Sequence, residues 1–141
     1  MSTECAAESG TDLLGSTALG TALPLISTGR KIVVAHGTGN RTDDNIKEFG
    51  AALASVYDHV IVADADPRAR MPGETPDLVR DGALETGLPE ASVEIVLAPL
   101  AAIDRGFAMV QAGDLLVIQV DDVDQMLGRV MEHFERLVTE A

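Results

Sequence analysis

From Arg30 onward the chain switches repeatedly between two hydrophobic periods. Lys31-Ile-Val-Val-Ala35 is a short β-branched apolar run that ends in His36-Gly-Thr-Gly39. This predicts a buried strand running into a glycine turn. Ile46, Phe49, Gly50, Leu53, Val56 and Tyr57 then recur at helical spacing, which predicts an amphipathic helix. Thr42-Asp43-Asp44 suits its start, because a side-chain oxygen and negative charge satisfy free N–H groups there.

The unit recurs three times. His59-Val-Ile-Val-Ala63 predicts a second strand, followed by the loop Asp64-Ala-Asp66-Pro-Arg68-Ala-Arg70-Met-Pro-Gly73-Glu74. Thr75-Pro76 reads as a cap and first-turn proline, opening a helix with Leu78, Val79, Gly82 and Ala83 that stops before Gly87. Val93-Glu-Ile-Val-Leu97 is the third strand. Pro99 starts a helix with Leu100, Ile103, Phe107 and Val110 inward and Gly113 as its stop. Asp114-Leu-Leu-Val-Ile-Gln-Val120 is the fourth strand and ends at Asp121-Asp122. A last helix places Val123, Met126, Leu127, Val130, Met131, Phe134, Leu137 and Val138 on one stripe.

Successive βα units predict an α/β domain, Rossmann-like, with three αβα layers and a mainly parallel sheet of about four to six strands. Strands apolar throughout, not alternating, fit burial on both faces. Right-handed crossovers gather the strand carboxyl ends at one edge, where ligands of α/β proteins usually sit. Strand order stays open. Residues 1–29 read as a flexible leader or linker and 30–141 as the domain. Thr11 to Ile26 is mildly apolar, but glycines and Pro24 interrupt it and no basic residue precedes it. It therefore reads as neither a signal peptide nor a membrane span.

Composition narrows the function. The 141 residues carry 23 acidic against 10 basic side chains, a formal charge of −13. That opposes a nucleic-acid surface, where Lys and Arg must release counterions, and an anionic membrane surface. Apolar residues at 46% suffice for a core and are too many for a disordered acidic tail. The lone Cys5 excludes an internal disulfide framework and a cysteine-built metal site, and fits a cytoplasmic, reducing location.

Chemistry concentrates at the expected edge. Gly37-Thr-Gly39-Asn40-Arg41-Thr42-Asp43 is an incomplete dinucleotide fingerprint, with Thr42 at the third glycine position. Its N–H groups suit an anion, or it is an ordinary strand-to-helix turn. No G-x-x-x-x-G-K-[ST] segment occurs. Asp66-x-Arg68-x-Arg70 sets two guanidinium groups beside a strand exit. They suit carboxylates or phosphates, or pair internally with Asp64, Asp66 and Glu74. Asp121, Asp122 and Asp124 offer a cation site or helix capping. His36, His59 and His133 lack a nucleophile in motif form and take structural or solvent roles. Met71, Met109, Met126 and Met131 read as filling.

The two polar loops together resemble the C-terminal domain of the Mur ligase family, most closely in its cyanophycin synthetase branch. There the first strand runs into G-D-R-R-D-E-D-I, where this chain has Gly39-Asn40-Arg41-Thr42-Asp43-Asp44-Asn45-Ile46. The second leads to D-x-R-G-R-x-x-G-E, and here to Asp66-Pro-Arg68-Ala-Arg70-Met-Pro-Gly73-Glu74. Ala112-Gly113-Asp114-Leu115 ahead of a strand also fits, and the likeness runs from Arg30 to Phe134. Asn40, Thr42 and Ala69 depart from it, standing for a carboxylate, an arginine and a glycine.

The resemblance implies a lid. In Mur-type ligases a central domain holds the P-loop, ATP and Mg, the acid substrate is activated as an acyl phosphate, and an amine attacks it. In the cyanophycin branch this half adds arginine to an aspartate backbone. Carried over, Gly39, Arg41 and Asp43 would face nucleotide and phosphate. Asp64, Asp66, Arg68, Arg70 and Glu74 would face the amino acid or acidic polypeptide. The implied partner is a P-loop ligase domain, in the same gene product or a separate chain, without which this one is inactive. No catalytic or metal-ligating residue is assigned. Two other classes compete: a stand-alone module for a small anion or nucleotide, and a non-catalytic remnant that docks to a ligase.

Overall fold

The computed structural model describes residues 29–66, 69–120 and 123–140, and the backbone of 4–9. Five strands, β1 (Glu4–Ser9), β2 (Lys31–Thr38), β3 (His59–Asp66), β4 (Val93–Ile95) and β5 (Leu115–Val120), form one parallel sheet in the order β1-β5-β2-β3-β4. Four helices lie among the described residues: α1 (Asp43–Val56), α2 (Glu74–Glu85), α3 (Pro99–Met109) and α4 (Val123–Glu140). The expected three-layer Rossmann-like class is the one observed.

Alternate residues of β2, β3 and β5 enter different cores. Val33, Ala35, Val60, Val62, Leu115 and Val117 pack with Ile46, Phe49, Leu53, Val79 and Ala83 of α1 and α2. Ile32, Val34, Ile61, Ala63, Leu116 and Ile118 pack with Ala102, Ile103, Met126 and Val130 of α3 and α4. Burial of both sets is why these strands read as continuous apolar runs.

The first core is tightened where α1 crosses α2. A Cβ placed on Gly50 would lie 2.0 Å from the Val79 carbonyl oxygen, and one on Gly82 would lie 2.0 Å from that of Lys47. Only hydrogen fits between backbones this close. At the amino end of the sheet, Asp114 joins β5 to β2. Its carboxylate accepts from the Arg30 amide (3.0 Å), the Arg30 guanidinium (2.9 Å) and the Gln111 amide (3.0 Å). Burial opposes ionisation there, but these donors outweigh it and hold the carboxyl below its ordinary pKa.

The structure differs from the sequence reading in four places. Glu4–Ser9, within the expected leader, runs as strand β1 beside β5. Its apolar residues are only Cys5, Ala6 and Ala7, too few and too small to mark a strand. Residues 10–28 lie outside the described residues. Thr75-Pro76 falls two positions later in the helix than expected, because Gly73 (φ 89°) occupies the cap and Glu74 is the first helical residue. Glu74 closes that turn itself, its amide donating to the Met71 carbonyl (3.0 Å) and its carboxylate accepting from the Met71 amide (3.1 Å).

The remaining two differences lie on α4. His133, which does not belong to the apolar stripe read from the sequence, is buried: its ring stacks on Phe107 at 4.5 Å and its Nε2 lies 2.6 Å from Asp104. Conversely, most of the stripe is uncovered. Met126 and Val130 are buried while Leu127, Met131, Phe134, Leu137 and Val138 stay exposed. Apolar spacing reports how wide a stripe is, not which half meets the sheet. Among the described residues no helix is long and apolar enough to cross a membrane.

Candidate functional site

Parallel topology brings the loops after β2 and β3 to one edge, and Arg70 ties them together. Its Nε donates to the Gly39 carbonyl (3.0 Å) and its Nη2 to the Arg41 carbonyl (2.8 Å). Nη2 also lies 2.7 Å from Asp43, and Nη1 donates to Glu74 at 2.9 Å. Only the fork of a guanidinium can serve two carbonyls and two carboxylates at once. The Asp43 hydrogen bond, which outweighs the opposing effect of burial and is aided by Glu74, keeps the Arg70 pKa above its ordinary value.

Each loop also has a local anchor. Thr42 caps α1, its hydroxyl accepting from the Asn45 amide at 3.2 Å. Asp64, near the end of β3, is half-buried and accepts from the Gly73 amide at 2.7 Å, steering the left-handed glycine that caps α2. Its own amide donates to the Leu97 carbonyl (3.0 Å), joining the β3 exit to the one after β4.

The expected site residues therefore divide. Gly39, the Arg41 backbone, Asp43, Arg70 and Glu74 form one cluster. Arg70 is paired internally, as one of the two sequence readings had it, with Glu74 and also with Asp43, which that reading had not weighed. The Arg41 side chain remains exposed and makes no ion pair with a described residue. Asp64 stands apart from Arg70. Arg68, the Asp66 side chain and the Asp121-Asp122 pair lie outside the described residues.

Three buried polar atoms near this edge have no hydrogen-bond partner among the described residues: Asp64 Oδ1, Thr75 Oγ1 and Gln119 Nε2. A buried group left unpaired costs about 1–3 kcal/mol. Gln119 is a residue the sequence reading passed over. It is fully buried in β5, and its Oε1 accepts from the His36 amide at 3.2 Å. Direct β2–β5 pairing runs from Lys31 to Val34, so this side chain bridges the strands just beyond their last paired residues. A lone carboxamide in the apolar run Leu-Leu-Val-Ile-Gln-Val was the available signal.

A cavity of about 460 Å³ lies elsewhere, between α3 and α4, lined by Phe107, Ala108, Arg129, His133, Arg136 and Leu137 with Asp104. Its carboxylate is already engaged by His133 and by Arg129 (3.3 Å). None of the motif residues reaches it.

Comparison with known proteins adds a second line. No protein-family model matches the chain. The cyanophycin synthetase of Synechocystis sp. is 33% identical over 100 residues, which cover 70% of this chain and 11% of that protein. That of Crocosphaera subtropica is 33% identical over 103 residues, covering 72% and 12%. The chain thus spans about a tenth of the length of these curated relatives. Among solved structures, a UDP-N-acetylmuramoyl-L-alanyl-D-glutamate–2,6-diaminopimelate ligase superposes with a TM-score of 0.70 at 16% identity, covering 92% of this chain and 29% of that one. A domain of a UDP-N-acetylmuramate:L-alanyl-γ-D-glutamyl-diaminopimelate ligase from Haemophilus ducreyi gives 0.62 at 12% identity, covering 96% and 91%. At these identities the superpositions show the shared fold.

Proposed function

We propose that this chain, a Mur ligase C-terminal-like domain related to a stretch of the cyanophycin synthetases, is the lid of an ATP-dependent acid–amino acid ligase. The observation that carries this reading is the Arg70 clamp. It locks together, at the carboxyl edge of the sheet, the two loops whose motifs resemble that family.

Residues 30–141 form the lid in this reading, and the amine it handles is arginine, joined to an aspartate-backbone polymer. The residues present do not fit a nucleotide by themselves. The chain has no P-loop segment, and among the described residues no group of three metal-ligating side chains converges. ATP and Mg are therefore assigned to a P-loop domain outside this chain, and no step here runs through them.

The chain's own groups would then have separate duties. Exposed Arg41, its backbone fixed by Arg70, offers a guanidinium to phosphate oxygens at the domain boundary. Asp64 Oδ1, a buried acceptor without a donor among the described residues, suits a guanidinium or ammonium of the incoming amino acid. Asp66 and Arg68 belong to the same end. Closure of such a lid excludes water and orients the amine.

The test is turnover. The 141-residue chain with ATP, an aspartate primer and arginine is expected to release no phosphate and extend no primer, and to restore both when supplied to a P-loop ligase core. Robust turnover by the chain alone sinks the reading. Tight nucleotide binding by the isolated chain in calorimetry would favour the stand-alone module instead.

A further inference from the structure

The cavity between α3 and α4, of about 460 Å³, has the size of a small-molecule site and no part in the ligase reading. Two helix faces make it. From α3 come Asp104, Phe107 and Ala108, and from α4 come Arg129, His133 and Arg136, with Leu137 beside them. Spacings of three and four set each group on one side of its helix. Phe107 and His133 lie face to face at 4.5 Å and 7°, so one wall is flat and already ordered. Ala108 contributes only a methyl group, which leaves the space a longer side chain there would take.

The lining is basic in an acidic chain. Two guanidinium groups meet one carboxylate there, whereas the whole sequence carries 23 acidic against 10 basic side chains. That carboxylate is already shared: Asp104 Oδ1 lies 2.6 Å from His133 Nε2, and Oδ2 accepts from Arg129 Nη1 at 3.3 Å. Arg129 engages it through Nη1 alone, which leaves Nε and Nη2 as donors. Among the described residues Arg136 makes no hydrogen bond or ion pair, and neither Glu132 nor Glu135 closes on it. The two arginines stand two turns apart on one side of α4, about 10 Å along its axis. Two long side chains can close that span around one anion.

We propose that this cavity is a binding site for a small organic carboxylate, whose head pairs with Arg129 and Arg136 and whose apolar body lies against Phe107, Ala108 and Leu137. The lining selects this class. Guanidinium forks suit a planar carboxylate. A bare inorganic anion would leave the apolar part of the wall wet, and a cation would meet two guanidinium groups beside a carboxylate already shared. The site lies away from the motif loops, so its occupant is neither the nucleotide nor the amine of the proposed ligase reaction. It joins α3 to α4, two helices that pack on one core, and its occupation stabilises the fold by mass action.

Titration of the full 141-residue chain, followed by its amide resonances, tests this with benzoate, with benzamide as the uncharged counterpart, and with inorganic phosphate. Benzoate should shift residues 104–108 and 129–137 and saturate with a Kd of about 1 mM, the order for so small a ligand. Benzamide and phosphate should each bind about tenfold more weakly. Arg136→Gln, at an exposed position, should keep the helical circular dichroism and weaken benzoate about fivefold. Ala108→Leu, also exposed, leaves every charge in place and should block the cavity, which decides the matter even if the glutamine variant misfolds. Shifts that do not saturate or that fall only on other residues overturn the proposal. So does benzamide or phosphate binding as tightly as benzoate, or an affinity untouched by both variants.

Discussion

Arg70 donates its Nε to the carbonyl of Gly39, thirty-one positions earlier in the chain, and so makes one rigid body of two loops that leave different strands. The same side chain faces Asp43 and Glu74. Arg70→Ala should raise amide hydrogen exchange across residues 39–45 while leaving β2 and β3 protected. Arg70→Lys should rescue little, since an ammonium on a flexible stem cannot reproduce the fork. Unchanged exchange in the alanine variant would remove the clamp from the account.

Gly50 and Gly82 meet the opposite helix's backbone reciprocally. Alanine at either position forces α1 and α2 apart and should cost about 3 kcal/mol, read as a fall in the urea midpoint. Gly128→Ala, which meets nothing, should leave stability unchanged or raise it by about 0.5–1 kcal/mol, the ordinary gain of alanine in a helix.

Asp114 gives stability a pH dependence of definite sign. Its folded pKa lies below the ordinary 3.8, so its contribution is present above that value and disappears as pH falls through the folded pKa. Asp114→Asn should be destabilised by about 1–3 kcal/mol at neutral pH, because the Arg30 and Gln111 donors lose a charged acceptor. Its stability should also fall less steeply than the parent's below about pH 4. Equal acid limbs in the two denaturation series would contradict the assignment.

Asp64 separates binding from folding. Asp64→Asn keeps an acceptor for the Gly73 amide, so the start of α2 should persist. In a complete ligase the same change should raise KM for an amino acid bearing a guanidinium by roughly tenfold, the worth of one charge-assisted hydrogen bond, and affect kcat less. A KM unaltered by the substitution would place the amine elsewhere.

What the sequence disclosed follows from range. Ile32 to Ala35 and Val60 to Ala63 announced themselves because each residue is buried whichever face it meets. Thr42 announced α1 because a cap bonds only three positions away. The partners of Arg70 were harder to read, since Glu74 is local but Gly39 and Asp43 arrive only when β2 and β3 lie side by side. The outward turn of Met131 and Phe134 was illegible for a related reason: α4 carries apolar residues enough for two faces. Gln119 could have been noticed, as the one polar side chain in an apolar strand.

The strand order carries a consequence for how the molecule is made. β5 separates β1 from β2, so β1 has no neighbour in this sheet until β5 has been made. The sheet on β2, β3 and β4 can assemble from consecutive crossovers as they are synthesised, whereas β1 waits for β5. A terminated chain ending before Leu115 would hold the first and second motif loops and yet leave β2 with an open flank, a template for other strands. Quality control over this sheet thus rests on the arrival of β5.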